Sequence, residues 1–345
     1  MANYDSVLLR QNLNDVGSLP RTGGWTASPD IITAGTSPTQ NPSGVYTSAA
    51  SYNTDITNDI VLKATNYIYI RGKNISNTAQ NANASLFWAP QSLFLYPSEW
   101  ESNIIQTTRG SNTSNIGTIN SNTIAVTTDP FQWIPSGENE HCCLIGIIST
   151  DKYPLTSQLP PNTVTSLNDL AAWIGKTGGA GWHNVQFTDA GSPTFTHSTV
   201  YPASSTDSVI QFAITCTSCP VGSQVSFSCG SPLSGGTYIN LPKTTVSSTQ
   251  KIGFFVTATV PAGWTSPISY SYFSNGLAPV DSNFNVSMSA TILTTTPGSE
   301  VFSKYAQPLN KIFANHFAIS NDGKALGDMP VYQGIPVGSD MTKLM

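Results

Sequence analysis

Apolar and polar residues alternate with a period of two along much of this chain. Residues 66–74 read Asn-Tyr-Ile-Tyr-Ile-Arg-Gly-Lys-Asn, which sets Tyr67, Tyr69 and Arg71 on one face and Ile68, Ile70 and Gly72 on the other. That is the pattern of a strand in an antiparallel sheet. Similar runs at 59–63, 82–88, 118–126, 142–149 and 181–187 predict further short strands, punctuated by Gly, Pro, Asn and Ser. One helix is expected at 166–174, where Ser166 offers an N-cap and Asp169 can reach back to it. Beyond a Ser/Thr/Pro-rich stretch at 191–207, alternation resumes at 209–215, 224–229, 251–260, 267–273 and 283–294. Short strands separated by turn residues predict an all-β protein built from sandwiches.

The strand at 66–74, preceded by Ser28-Pro29-Asp30-Ile31 and followed by Trp88-Ala89-Pro90, resembles the CARDB-like, immunoglobulin-like β-sandwich modules of bacterial surface, secreted and phage-related proteins. His141-Cys142-Cys143-Leu144-Ile145-Gly146-Ile147 looks like the later aromatic-Cys-aliphatic strand of such a module. Residues 167–173, followed by Trp182-His183-Asn184-Val185, are similar to its closing helix and last strand. The resemblance covers residues 5–190 and implies a fold without implying an activity, because such sandwiches carry many unrelated functions. The expected organisation is two tandem antiparallel immunoglobulin-like β-sandwiches. An extended N-terminal arm (1–50) precedes a CARDB-like sandwich (51–190), a linker (191–207), a second sandwich (208–295) and a C-terminal docking tail (296–345).

Charged residues make up only 10% of the chain and the formal net charge is −5, so polarity comes from hydroxyls and amides. No cluster of Lys and Arg is present to neutralise phosphates, which excludes a nucleic-acid partner and disfavours an anionic membrane. With 39% hydrophobic and 10% aromatic residues, the chain has too much burial potential for a disordered segment. The N-terminus lacks a basic stretch followed by an apolar one, so an extracellular or particle-associated protein without a Sec leader is expected.

Catalytic and metal-binding patterns are missing. His141, His183, His197 and His316 fall in no zinc-binding spacing, and no Gly-x-Ser-x-Gly elbow occurs. The carboxylates Asp55 and Asp59, Glu99 and Glu101, Glu138 and Glu140 read as solvated pairs. No cofactor is implied. Five cysteines include the trio Cys216, Cys219 and Cys229, which could hold a disulfide, take part in a zinc site or remain thiols. Most of the seven tryptophans read as core, with Trp264 in the turn 261–267 the best exposed aromatic.

These features predict a non-enzymatic structural protein, a homo-oligomer forming a filament or particle through its sandwiches and terminal arms. Ile31 and Ile32 in the arm and Phe313, Phe317 and Tyr332 in the tail are the candidate assembly contacts. A membrane-acting, pore-forming role rests on the uncharged Ser/Thr-rich stretch 107–128 as a stem, and a lectin-like role is a further alternative, so membrane and glycan partners stay open.

Overall fold

The structure is a computed structural model and describes residues 2–21, 23–58, 60–90, 92–135, 142–185, 194–278, 283–293, 306–308, 317–320 and 333–343. The chain is all-β, and among the described residues its sheets are antiparallel apart from the parallel pairing of β17 with β21 described below. It divides into two compact units: Met1–Gln91, Leu95–Val164 and Ala172–Phe187 form unit 1, and Ser92–Phe94, Thr165–Ala171 and Thr188–Met345 form unit 2.

Unit 1 holds β1 (Ala2–Asn3), β2 (Val7–Leu8), β3 (Ser18–Leu19), β4 (Ile31–Thr33), β5 (Asn66–Asn74), β6 (Gln80–Pro90), β7 (Ile104–Ile105), β8 (Ser114–Ile119), β9 (Ile124–Val126), β10 (Phe131–Trp133), β11 (Cys142–Thr150) and β12 (Ala180–Val185). Its short helices are α1 (Pro42–Tyr46), α2 (Ala49–Tyr52), α3 (Pro97–Trp100) and α4 (Leu155–Gln158). Strand β5 is the spine of one sheet, with β10 and β9 along one side and β4 and β2 along the other. The facing sheet runs β12-β11-β6, with β7 and β8 on the far side of β6.

The apolar face of β5 makes the core between these sheets. Ile68 and Ile70 pack with Val7 and Ile31 against Ala84, Leu86, Leu144 and Ile148, all of them buried. Each such aliphatic side chain contributes about 1.5–3 kcal/mol by leaving water. The Tyr face is covered too: Tyr69 is 1% exposed and packs with Ile32, Tyr46 and Val126. Ile31 and Ile32 therefore lie on opposite faces of one sheet, each 0% exposed, so neither is an accessible assembly contact. The first fifty residues are an integral part of unit 1 and not an external arm, since β2 and β4 pair directly with β5.

A buried ionic cluster ties this region down. Asp30 accepts from Arg10 Nε (2.9 Å) and Nη2 (2.8 Å) and from Arg71 Nε (2.8 Å). The Arg71 side chain also donates to the carbonyls of Tyr46 and Ser51 (3.0 Å each), at the C-terminal ends of α1 and α2, and to Pro29 O (2.8 Å). Helix ends leave such carbonyls unpaired, and a cation there satisfies both charge and hydrogen bonding. The Arg10 guanidinium sits 3.4 Å from the centre of the Tyr52 ring.

Two expected strands of unit 1 take other forms. Residues 60–65 are no strand, because the Asn66 side chain accepts from Val61 N (2.8 Å) and donates to Val61 O and Ala64 O, closing a turn that Lys63 completes at φ 58°. The segment 118–126 splits into β8 and β9 at a turn where Asn122 has φ 58°. Strands β8 and β9 enter different sheets, and Ile116, Ile119 and Val126 of the segment read as a pore stem are buried in unit 1.

Helix α5 (Leu167–Lys176) forms where expected. Ser166 Oγ accepts from Asp169 N (3.1 Å) and donates to Asp169 Oδ2 (2.6 Å).

Unit 2 holds β13 (Thr194–Tyr201), β14 (Ser208–Thr217), β15 (Gln224–Cys229), β16 (Asn240–Thr245), β17 (Ile252–Val260), β18 (Ser266–Phe273), β19 (Asn285–Leu293), β20 (Gln307–Pro308), β21 (Phe317–Ser320) and β22 (Gln333–Lys343). One sheet runs β13-β18-β15-β16 and the other β20-β22-β19-β14-β17-β21. Their buried residues include Ile268, Tyr270 and Phe227 from the first and Ile210, Phe212, Ile214 and Met288 from the second.

Both flanks of this unit differ from expectation. The linker 191–207 contains β13, whose eight residues pair with β18, so it is an edge strand of the sheet. The C-terminal tail supplies β22, which covers β19 from Asn285 to Leu293 with a bulge opposite Ala290 and Thr291. Pro336 lies at that bulge, where a residue without an N–H is tolerated. Removing residues 296–345 would thus uncover the edge of β19 rather than release an independent arm.

Gly338 of β22 passes so close to Ser92–Phe94 that a Cβ there would collide with the Leu93 carbonyl oxygen. The Leu93 backbone is itself held, donating from N to Val200 O at 2.8 Å. Gly338→Ala is therefore expected to lower stability by about 1–3 kcal/mol, the usual cost of forced overpacking, measured as a shift in denaturant midpoint. An unchanged midpoint would mean that β22 does not run there.

Candidate binding groove

A groove of about 450 Å³ lies in unit 2. Val256, Thr257, Ala258 and Thr259 of β17 form one wall, and Leu233, Ser234, Thr237, Tyr238 and Ile239 form the other, with Asp207 and Pro261 at one end. On the outer edge of β17 the described residues of β21 pair, in parallel, with Ile252–Phe255. Among the described residues no strand pairs with the following part of β17 on the side away from β14. Thr257 and Thr259 are exposed there, while Val256 and Ala258 are half-buried.

The second wall is a tight loop. Leu233 N donates to Thr237 O (2.7 Å) and Gly236 N to Leu233 O (3.0 Å), and Gly235 and Gly236 have φ 94° and 82°. Only glycine takes up two successive left-handed positions at low cost. The loop presents Tyr238, which is 53% exposed. Trp264 anchors the loop base through Nε1 to Pro232 O (2.9 Å) and packs against Tyr201, with centroids 5.1 Å apart and the rings tilted by 57°. The exposed aromatic at this site is accordingly Tyr238, and Trp264, the residue expected to be exposed, is a half-buried support. Asp207 Oδ1 accepts from Ala262 N (2.8 Å) and shapes the turn at the groove end.

The described residues of the lining include one carboxylate, Asp207, and the hydroxyls of Ser234, Thr237, Thr257 and Thr259 besides Tyr238. Among the described residues the groove thus combines a strand edge without a partner, a rim of hydroxyls and an exposed aromatic ring.

The other candidate residues do not gather at this groove. Ile31 and Ile32 are interior to unit 1. Phe317 begins β21, its backbone paired with Ile252, while Phe313 and Tyr332 lie outside the described residues. Cys216, Cys219 and Cys229 are buried free thiols of unit 2. His183 Nδ1 is 2.9 Å from Ser28 O, and His197 packs beside Phe195 and Tyr270. His141 and His316 lie outside the described residues, as do Asp59, Glu138 and Glu140. Among the described residues no three His, Cys, Asp or Glu side chains come together to hold a metal. No helix among them is long and apolar enough to cross a membrane.

No family model matches the sequence, and no curated protein matches it. Among solved structures, a secreted serine protease, VesC from Vibrio cholerae, is similar over 69% of this chain and 48% of its own, at 12% identity and a TM-score of 0.25. Red sea bream transglutaminase is similar over 67% of this chain and 27% of its own, at 8% identity and a TM-score of 0.19. The N-terminal CBM22-1–CBM22-2 tandem domain of Paenibacillus barcinonensis Xyn10C is similar over 80% of this chain and 94% of its own, at 9% identity and a TM-score of 0.16. This chain thus spans about half or less of the protease and the transglutaminase. At these scores none of the three bears on what the chain does.

Proposed function

We propose that this chain is a non-enzymatic structural protein that associates with further copies of itself by strand addition along the open part of β17. The observation that carries this reading is that, among the described residues, no strand pairs with β17 after Phe255 on the edge that accepts β21. Backbone hydrogen bonds to such an edge supply affinity without a deep pocket, and side chains of alternate residues in the added segment fit the flanking groove. A chain with only 10% charged residues matches a lining that holds one carboxylate. The resemblance of residues 5–190 to CARDB-like modules of surface, secreted and phage-related proteins supports an extracellular or particle-associated setting.

Light scattering over a concentration series tests it. Full-length protein is expected to form oligomers, and Thr257→Lys and Thr259→Lys, which place charge on an exposed edge, are expected to weaken association at least about tenfold, or ~1.4 kcal/mol. A chain that stays monomeric at every concentration, or that assembles equally well with both lysines, would rule the mechanism out.

A glycan-binding reading stands second, on the exposed Tyr238 ring beside the hydroxyls of Ser234 and Thr237 and the carboxylate of Asp207. It expects retention on a glycan surface that Tyr238→Ala reduces by an order of magnitude or more, about 1.4 kcal/mol, with no dependence of oligomeric state on the lysine substitutions.

A further inference from the structure

Three cysteines lie in unit 2, and their positions separate them into a pair and a single residue. Cys216 is the penultimate residue of β14, aligned with Ile252 on one neighbouring strand and Val286 on the other. After Thr217 the backbone turns at Ser218, which has φ 51°, and Ser218 N donates to Thr249 O (3.1 Å). The turn folds Cys219 back over the strand end, where its Sγ lies 3.6 Å from Thr217 O and 3.7 Å from Asn285 O. Cys216 and Cys219 thus sit three residues apart across this turn, at the same end of β14. Both are buried, at 1% and 0% exposure. Cys229 lies elsewhere, at the end of β15 opposite Ile268.

We infer that Cys216 and Cys219 are a disulfide-forming pair that closes during folding in the presence of a low-molecular-weight disulfide, with Cys229 left as a thiol. A zinc role for the trio fails on geometry, because no three His, Cys, Asp or Glu side chains come together among the described residues and four ligands are normally needed.

The chemistry balances as two exchanges. One protein thiolate attacks a sulfur of the small disulfide, forming a mixed disulfide and expelling one small thiolate. The second protein thiolate then attacks the protein sulfur of that mixed bond, forming the Cys216–Cys219 bond and expelling the other small thiolate. Two protein thiols are oxidised and one small disulfide is reduced. The two protein protons leave on the two small thiols.

Timing follows from burial. In the folded unit the Cys216 thiol is held well above its ordinary pKa, by the neighbouring Cys219 and then by desolvation, so little thiolate is available. Burial likewise pushes Cys229 up to about 12, which removes it as a competing nucleophile in the folded state. Exchange therefore belongs to the folding chain, when the turn at Ser218 has formed and the sheets have not yet closed.

The test is to denature and reduce the full chain, refold it with a mixture of reduced and oxidised glutathione, then unfold it in acid, alkylate the remaining thiols and digest it with chymotrypsin. Cleavage after Phe227 separates Cys229 from the pair. The expected result is an unalkylated peptide carrying Cys216 and Cys219 at a mass about 2 Da below its dithiol form, a loss of two alkylation sites per chain, with Cys229 alkylated. The bond should resist dithiothreitol in native buffer and reduce in denaturant, as a buried disulfide does. A bridge that includes Cys229, or a refolded chain with Cys216 and Cys219 both alkylated, would overturn the inference.

Discussion

Replacing Asp30 by alanine is expected to lower the stability of unit 1 by about 3–5 kcal/mol, because it leaves two buried guanidinium groups without their shared counter-charge. Asp30 is 0% exposed, Arg71 0% and Arg10 2%, so water cannot take over the lost hydrogen bonds. The loss would spread along the fold: Arg71 also holds the ends of α1 and α2, and Arg10 follows directly on Leu9 of the core. A second variant separates the charge effect from lost packing. Arg71→Met keeps much of the side-chain volume and leaves Asp30 paired with Arg10, so it should cost less than Asp30→Ala. Urea titrations of the three proteins, read by tryptophan fluorescence, make the comparison, and an Asp30→Ala protein within about 1 kcal/mol of the parent would mean the cluster is solvated.

Much of the strand content could be read from alternation alone. Strand β15 spans Gln224–Cys229, the expected residues, and α5 begins at the Ser166 cap because Ser and Asp three positions apart satisfy each other at a helix start. Alternation failed where a side chain or a turn competed with it. Asn66 converts 60–65 into a turn, and Asn122 breaks 118–126. It was also obscured where hydroxyls replace apolar residues. In β13 the inward positions are Phe195, His197, Thr199 and Tyr201, a row that reads as linker because Thr and Ser fill the spaces between them. Pro336 and Gly338 hid β22 in the same way, although the glycine is there for the close approach to Leu93.

The groove was not legible. Its lining comes from residues 207, 233–239, 256–259 and 261, brought together only by strand pairing, and its one local signal was the turn at Gly235-Gly236. The Arg10–Asp30–Arg71 cluster is likewise a long-range product: Ser28-Pro29-Asp30-Ile31 stood out as a segment, but nothing near it names the two arginines as its partners.

The second large effect concerns the two faces of β5. A strand at the surface of a sandwich would tolerate truncation on its outer face, whereas here both faces are covered, so Ile70→Ala and Tyr69→Ala should both be costly. Ile70 is 0% exposed in the core between the sheets, and truncating a buried Ile to Ala costs about 2–5 kcal/mol through lost transfer energy and the cavity left behind. Tyr69 is 1% exposed, stands 5.4 Å from the Tyr46 ring, and its hydroxyl accepts from Thr39 N at 3.1 Å. Its loss removes packing, an aromatic pair worth about 0.5–1.5 kcal/mol and the hydrogen bond that secures residues 39–46 over the sheet. Tyr69→Ala is therefore expected to cost about 3–5 kcal/mol, at least as much as Ile70→Ala. Tyr69→Phe isolates the hydroxyl and should cost about 0.5–1.5 kcal/mol. Midpoints from chemical denaturation, with slopes checked for constancy, give the ordering. If Tyr69→Ala proved nearly neutral while Ile70→Ala did not, the Tyr face would be open to solvent, and the covering of β5 by β4, α1 and α2 would be wrong.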